Sequence, residues 1–175
     1  LQARGTGFDP LLPRTRTSLR AQIDRAEFGG RDFGGIELDA ELDSQRLSGR
    51  ISDRDEALRL LLSVSGTLTE REQRIGLSGS VFGFDLAALG VSPEPIGGSF
   101  ALDASASAAG KGAYAARIAL DSIEIRNKHR TDRIRPTSVS LHTDSAATRA
   151  EAASGDLSLT FSTPQSADSL IAALT

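Results

Sequence analysis

Few residue types in this 175-residue chain could do chemistry. Cysteine is absent, which removes a thiolate nucleophile, a disulfide framework and any Cys-based metal site. Two histidines remain: His129 in the run Lys128-His129-Arg130, and His142 between Leu141 and Thr143. An imidazole can act as a base or bind a metal. These two stand apart, and no HExxH, CxxC, GxSxG or P-loop pattern accompanies them. Both read as solvated, His142 on the polar side of a strand. The carboxylates Asp53, Asp55 and Glu56 lie together in SDRDEA. Paired acids can hydrolyse glycosides, and the run resembles half of a calcium loop, but it lacks the glycine and the distal glutamate that such a loop needs. It reads instead as a hairpin turn with Asx bonding. The densest charge is basic: Arg126, Lys128, His129, Arg130, Arg133 and Arg135. It could attract an anionic headgroup or an acidic partner, and reads as a solvated connection between strands. Arg14, Arg16 and Arg20 form a weaker basic group with the same reading. No enzyme activity, cofactor or metal is expected.

Composition narrows the class further. Net charge is -3 with both signs interspersed, which argues against nucleic acid as the main partner. Hydrophobic residues make up 39% and aromatics only 5%, so an apolar interior must be built from aliphatic side chains. No apolar run approaches the roughly 20 residues that span a bilayer. The chain begins with Leu and contains no Met; it is expected to be a segment of a longer secreted or cell-envelope protein.

Period-2 alternation dominates the elements that would carry these residues. Residues 1–17 read as a Pro/Gly/Arg-rich entry segment. Leu19 and Ile23 then alternate with polar residues, and a phase slip near Asp24, continuing through Ala26 and Phe28, predicts a β-bulge. Ile36, Leu38, Ala40 and Leu42 occupy one face of IELDAELD. Leu47 and Ile51 follow, then Leu58, Leu60, Leu62 and Val64, then Ile75, Leu77 and Val81. Around 83–97 the pattern breaks; Asp85 is placed to cap one helical turn over 86–89. Phe100 and Leu102, then Ile118 and Leu120, resume the alternation. A second slip is expected at Asp121-Ser122, before Ile123 and Ile125. Val139 and Leu141, a weak strand at 148–152, and Leu157, Leu159 and Phe161 complete it. Residues 18–163 thus predict about ten antiparallel strands with one apolar and one polar face. Residues 164–175 read as a short helix or linker.

The stretches AEFGGRDFGGIELDAELDSQRLSGRISDRDEALRLLLSVSGTL and FGFDLAALGV combine a Gly-Gly turn, a strand of form I-x-L-D-A-x-L, an L-x-G-x-I strand, a Leu-rich strand and a D-L-x-A-L-G step. RPTSVSLHTDSAATRAEAASGDLSLTFSTP has the same cadence. In these features the chain resembles the TamB family of the translocation and assembly module, particularly its Bacteroidetes-like members, within the AsmA-like repeating β-groove proteins. The resemblance covers nearly the whole chain. It implies a periplasmic protein anchored in the inner membrane, with a curved open sheet whose hydrophobic groove carries phospholipids between membranes, sometimes alongside an outer-membrane assembly barrel protein. Phospholipid acyl chains would then lie on the aliphatic set named above.

The physical reading agrees with that role. Ten strands about 4.8 Å apart extend about 48 Å, beyond the about 30 Å hydrocarbon thickness of a bilayer. Small residues such as Ala40, Gly49, Gly66 and Ala104 leave room on the apolar side. The alternative is a β-sandwich, in which two sheets bury the same residues against each other, serving an adhesin-like or structural role in the cell envelope.

Overall fold

A computed structural model of the chain describes residues 2–7, 9–24, 26–28, 31–110 and 112–166, with side chains left undescribed over 26–28 and 31–33. The strands are β1 (Gln2–Thr6), β2 (Arg16–Ile23), β3 (Ala26–Phe28), β4 (Arg31–Phe33), β5 (Ile36–Asp43), β6 (Arg46–Arg54), β7 (Leu58–Leu68), β8 (Glu72–Asp85), β9 (Gly97–Ala109), β10 (Tyr114–Arg126), β11 (Thr131–Ile134), β12 (Thr137–Thr143), β13 (Thr148–Ser154) and β14 (Leu157–Thr163). Twelve of them form one open antiparallel sheet, ordered β1-β2-β5-β6-β7-β8-β9-β10-β12-β13-β14 with β11 also on β10. The first and last strands of this order do not pair, so the sheet is not closed into a barrel.

Alternation produces this meander directly. Each hairpin keeps its apolar set on one face because cross-strand partners share a face. Charged partners on the opposite face reinforce the register: Arg20 Nη2 lies 2.7 Å from Asp39 Oδ2 and Arg16 Nε 2.9 Å from Asp43 Oδ1, both across β2 and β5. Exposed pairs of this kind contribute no more than about 1 kcal/mol each. The turn from β5 to β6 has two residues at positive φ, Ser44 and Gln45 (53° and 70°), as a tight type I′ hairpin requires.

Four local features depart from the sequence expectation or sharpen it. The slip near Asp24 is not a bulge: β2 ends at Ile23, and the chain makes a separate small hairpin, β3–β4, before Gly35 returns a hydrogen bond to the Ile23 carbonyl. The slip at Asp121-Ser122 is a register shift of β10 on β9, with Ser122 at φ 52°. A second shift lies in β8 between Val81 and Phe84, where Phe82 is the extra residue; in the sequence the alternation ends at Val81 and gives no sign of it. Lastly, the polar stretch after Arg126 contains a strand of its own. β11 and β12 both lie on β10, separated by Pro136, which cannot donate to a ladder.

Asp85 does cap the turn that follows it. Its Oδ1 accepts from Ala87 N at 2.9 Å and Ala88 N at 3.0 Å, and Leu89 N bonds to the Asp85 carbonyl. The turn stops there, at Gly90 (φ 73°), without becoming a helix. The connection 86–96 returns directly to β9, which pairs with β8 over most of its length. The helix expected near the C-terminus falls, from residue 167 onward, outside the described residues, as does the Gly29-Gly30 turn.

The sheet is a single layer. Among the described residues there is no helix, and the one other sheet is the two-stranded β3–β4 hairpin, too small to form the second layer of a sandwich, so the sandwich alternative does not describe this chain. The accessible surface is 12170 Å², against about 8,200 Å² expected for a compact folded chain of 18.4 kDa. Among the described residues, the buried apolar side chains are Ala57, Leu62, Val81 and Ile123.

Candidate functional site

The strand registers place the predicted apolar residues of the main sheet on one face; Ala26 and Phe28, expected to continue it, lie in the separate β3–β4 hairpin. The middle row can be followed partner by partner: Leu19, Ala40, Gly49, Val64, Leu77, Ala104, Ile118, Val139, Ala152, Leu159. It crosses ten strands without a polar side chain. On one side runs a row containing Leu42, Ile75, Leu141 and Phe161. On the other runs a row containing Leu38, Ile51, Leu62, Leu102, Leu120 and Leu157, interrupted by Thr137 and Ser154. Ile23 and Ile36 are partners beyond that row, as are Leu60, Val81 and Phe100. Leu58 opposes Phe84 past the β8 bulge.

Shelter along this face is uneven. Leu62 and Val81 are 9% and 7% exposed, whereas Ile118, Val139, Leu157, Leu159 and Phe161 are 50% exposed or more. The buried part lies where the strands are longest, over β7 to β10, and where Phe84 and Phe100 set their rings 6.2 Å apart. Gly98 makes room for this pair: a Cβ there would come within 2.8 Å of the Phe84 ring. A second sheltered place is a recess of about 570 Å³ between Gly5, Leu19, Ala40, Leu42 and Leu47, under Pro10 of the 9–15 loop. Thr15, 2% exposed, ties that loop down by donating its hydroxyl to the Asp9 carbonyl at 2.5 Å.

Several participants escaped the sequence reading. Phe84 was hidden by the bulge at Phe82, which reverses the parity of the residues after it. Asp53 belongs by register to the apolar face, opposite Leu60, and is 4% exposed. Its Oδ1 accepts from Asp55 N at 2.9 Å, and Asp55 Oδ1 accepts from Ala57 N at 2.7 Å. SDRDEA is therefore an Asx-bonded turn. Leu61 is the converse, a large apolar residue on the polar face.

The polar face balances its charges. Arg130 pairs with Asp132, Arg135 with Asp156, Lys128 with Glu94 at 3.5 Å, and Arg126 and Arg133 both approach Glu124 at 4.0 and 3.8 Å. The basic run is thus largely answered by acids from its own strand and from neighbouring segments. His129 sits in a turn where Asn127 Oδ1 accepts from the His129 and Arg130 amides, and His142 is exposed on the polar face. Among the described residues no three His, Asp or Glu converge as a metal set, and no helix is long and apolar enough to cross a membrane.

No protein-family model, curated protein or solved structure matches the chain.

Proposed function

We propose that this chain is a non-catalytic section of a hydrophobic conduit, in which the apolar face curls into an open groove and holds phospholipid acyl chains. The observation that carries the reading is the unbroken apolar row from Leu19 to Leu159 on a face with no covering layer among the described residues. The eleven side-by-side strand positions of the sheet extend about 48 Å at about 4.8 Å per strand. An apolar track this long with water on its open side needs an apolar occupant. A mobile chain suits it better than a rigid ligand, because the row mixes large aliphatic side chains with Ala and Gly and offers few directional hydrogen bonds. The recess near Leu42 is large enough for part of such a chain. The bulges in β8 and β10 flank the same segment of β9, and bulged strands bend and twist more strongly; this is the means of curling.

The resemblance to the repeating β-groove family gives the setting: the periplasm, within a protein anchored in the inner membrane that serves phospholipid transport and outer-membrane assembly, in company with an assembly barrel protein.

The test is site-specific photo-crosslinking. A photoreactive residue at Leu102 or Ile118, on the apolar face, should capture phospholipid that organic extraction and mass spectrometry then identify; one at Ser78 or Ser105, on the polar face, should not. Equal capture from both faces, or none from either, would refute the conduit.

A further inference from the structure

Beyond the acyl-chain face, we infer a headgroup site at the sheet margin, a mixed-charge trough that takes a phosphodiester with a neighbouring ammonium, the chemistry of a phosphoethanolamine headgroup. The inference rests on the conduit reading for the attached acyl chains and on separate observations for the trough.

The trough, about 430 Å³, lies where β7 begins, β8 ends, β9 begins and β10 ends. Two glycines, Gly83 and Gly97, leave its floor without side chains. Arg59 stands on one side, and Arg126 and Lys128 on the other. Arg59 makes no ion pair among the described residues, and its guanidinium lies against Gly83 so closely that a Cβ there would stand 3.1 Å from Nη2. Arg126 and Lys128 reach their carboxylates only at 4.0 and 3.5 Å and are more than half exposed. Their donors are free to turn toward an incoming oxyanion, and a phosphodiester suits the planar guanidinium fork. Two acids share the trough, Glu56 and Asp85. Three cations beside two carboxylates suit a zwitterion better than a bare dianion: the ammonium can lie by the acids while the phosphate meets the arginines.

Position joins this trough to the groove. Arg59, Gly83, Asp85, Gly97 and Arg126 lie on the polar side by register, but Phe84 lines the trough while its ring packs on Phe100 of the apolar side. A lipid can therefore turn over the strand ends, with its headgroup outside and its acyl chains inside.

Titration calorimetry with short-chain lipids tests this. Dihexanoyl phosphatidylethanolamine should bind the chain at least about fivefold more tightly than headgroup-free dihexanoylglycerol. Arg59→Gln with Arg126→Gln should abolish the preference and leave dihexanoylglycerol affinity unchanged. Gly83→Ala, which displaces the Arg59 guanidinium without changing charge, should reduce the preference. Both arginines are exposed, and circular dichroism will verify that the variants fold. Equal affinity for the two lipids in the wild type, or a preference that survives the double substitution, would overturn the site while leaving the conduit standing. If instead the conduit reading fails, dihexanoylglycerol does not bind; binding of acyl-free glycerophosphoethanolamine that the double substitution removes would then still uphold the trough, and its failure to bind would overturn it.

Discussion

Gly79 faces Leu62 across β7 and β8, at the most sheltered point of the apolar face. The two backbones lie so close that a Cβ on Gly79 would collide with the Leu61 carbonyl oxygen and stand 2.9 Å from Leu62 Cα. Its φ of 152° is also a conformation that side-chain-bearing residues rarely adopt. Gly79→Ala should therefore cost about 1–3 kcal/mol, measured as a lower urea midpoint. An unchanged midpoint would show that this close approach does not constrain the sheet.

Charge substitutions should separate fold from occupancy along the apolar face. Leu62→Arg buries a cation with no partner and should cost several kcal/mol. Leu159→Arg, at a position 69% exposed, should stay within about 0.5 kcal/mol. Leu77→Glu is intermediate: half-buried in the unbroken row, it can turn its carboxylate to water, so most of the fold should survive while lipid crosslinking from neighbouring positions is lost. Urea melts beside the crosslinking assay check all three. Equal destabilisation by Leu62→Arg and Leu159→Arg would contradict the gradient of shelter, and a folded Leu77→Glu that still captures lipid normally would contradict the conduit.

The β10 bulge gives a backbone test. Ser122 sits at φ 52°, and its amide donates to the Asp121 carboxylate. Ser122→Gly should be tolerated, because glycine reaches this region freely. Ser122→Val should cost about 1–2 kcal/mol, since a β-branched residue is disfavoured there. Thermal melts of the pair decide it; indifference to valine would mean that the bulge readily rearranges.

Asp144 should make the β12–β13 turn sensitive to acid. Its Oδ1 accepts from the amides of Ala146 and Ala147, at 2.7 and 2.8 Å, and these bonds hold its pKa below the ordinary 3.8. A carboxylate with a lowered folded-state pKa contributes stability that is present above the unfolded value and lost as pH falls through the folded one. Asp144→Asn should thus lower stability slightly at neutral pH, with the difference from wild type closing below about pH 4. Denaturation midpoints at pH 7 and pH 2.5 measure this; a difference as large at pH 2.5 as at pH 7 would exclude the ionised carboxylate as its source.

The apolar face was legible in the sequence because its signal is physical and local. Ile36, Leu38, Ala40 and Leu42 alternate strictly with Glu37, Asp39 and Glu41, and only one strand register keeps such a set together. The bulges were legible only in part. At Asp121-Ser122 the phase visibly slips between two runs of aliphatic residues. At Phe82 the extra residue is itself large and apolar, so the slip resembles the end of a strand. Near Asp24 a slip marked a whole hairpin, because alternation says when parity changes and not where the chain goes meanwhile. The trough was invisible for another reason. Arg59, Gly83, Gly97 and Arg126 are distant in sequence, and they meet only because four consecutive strands begin or end at the same margin.

The meander order has a consequence for how such a sheet forms and changes length. From β5 to β10 each strand bonds the strand next to it in the chain, and no pair joins the two outer edges. The loops to be closed are short, so contact order is low for an all-β chain, and formation can spread hairpin by hairpin from the long central strands, faster than in a Greek-key fold of equal size. The same openness makes length adjustable. Adding or losing one hairpin changes the span by about 9.6 Å, returns the chain to the same margin, and leaves every remaining side chain on its original face.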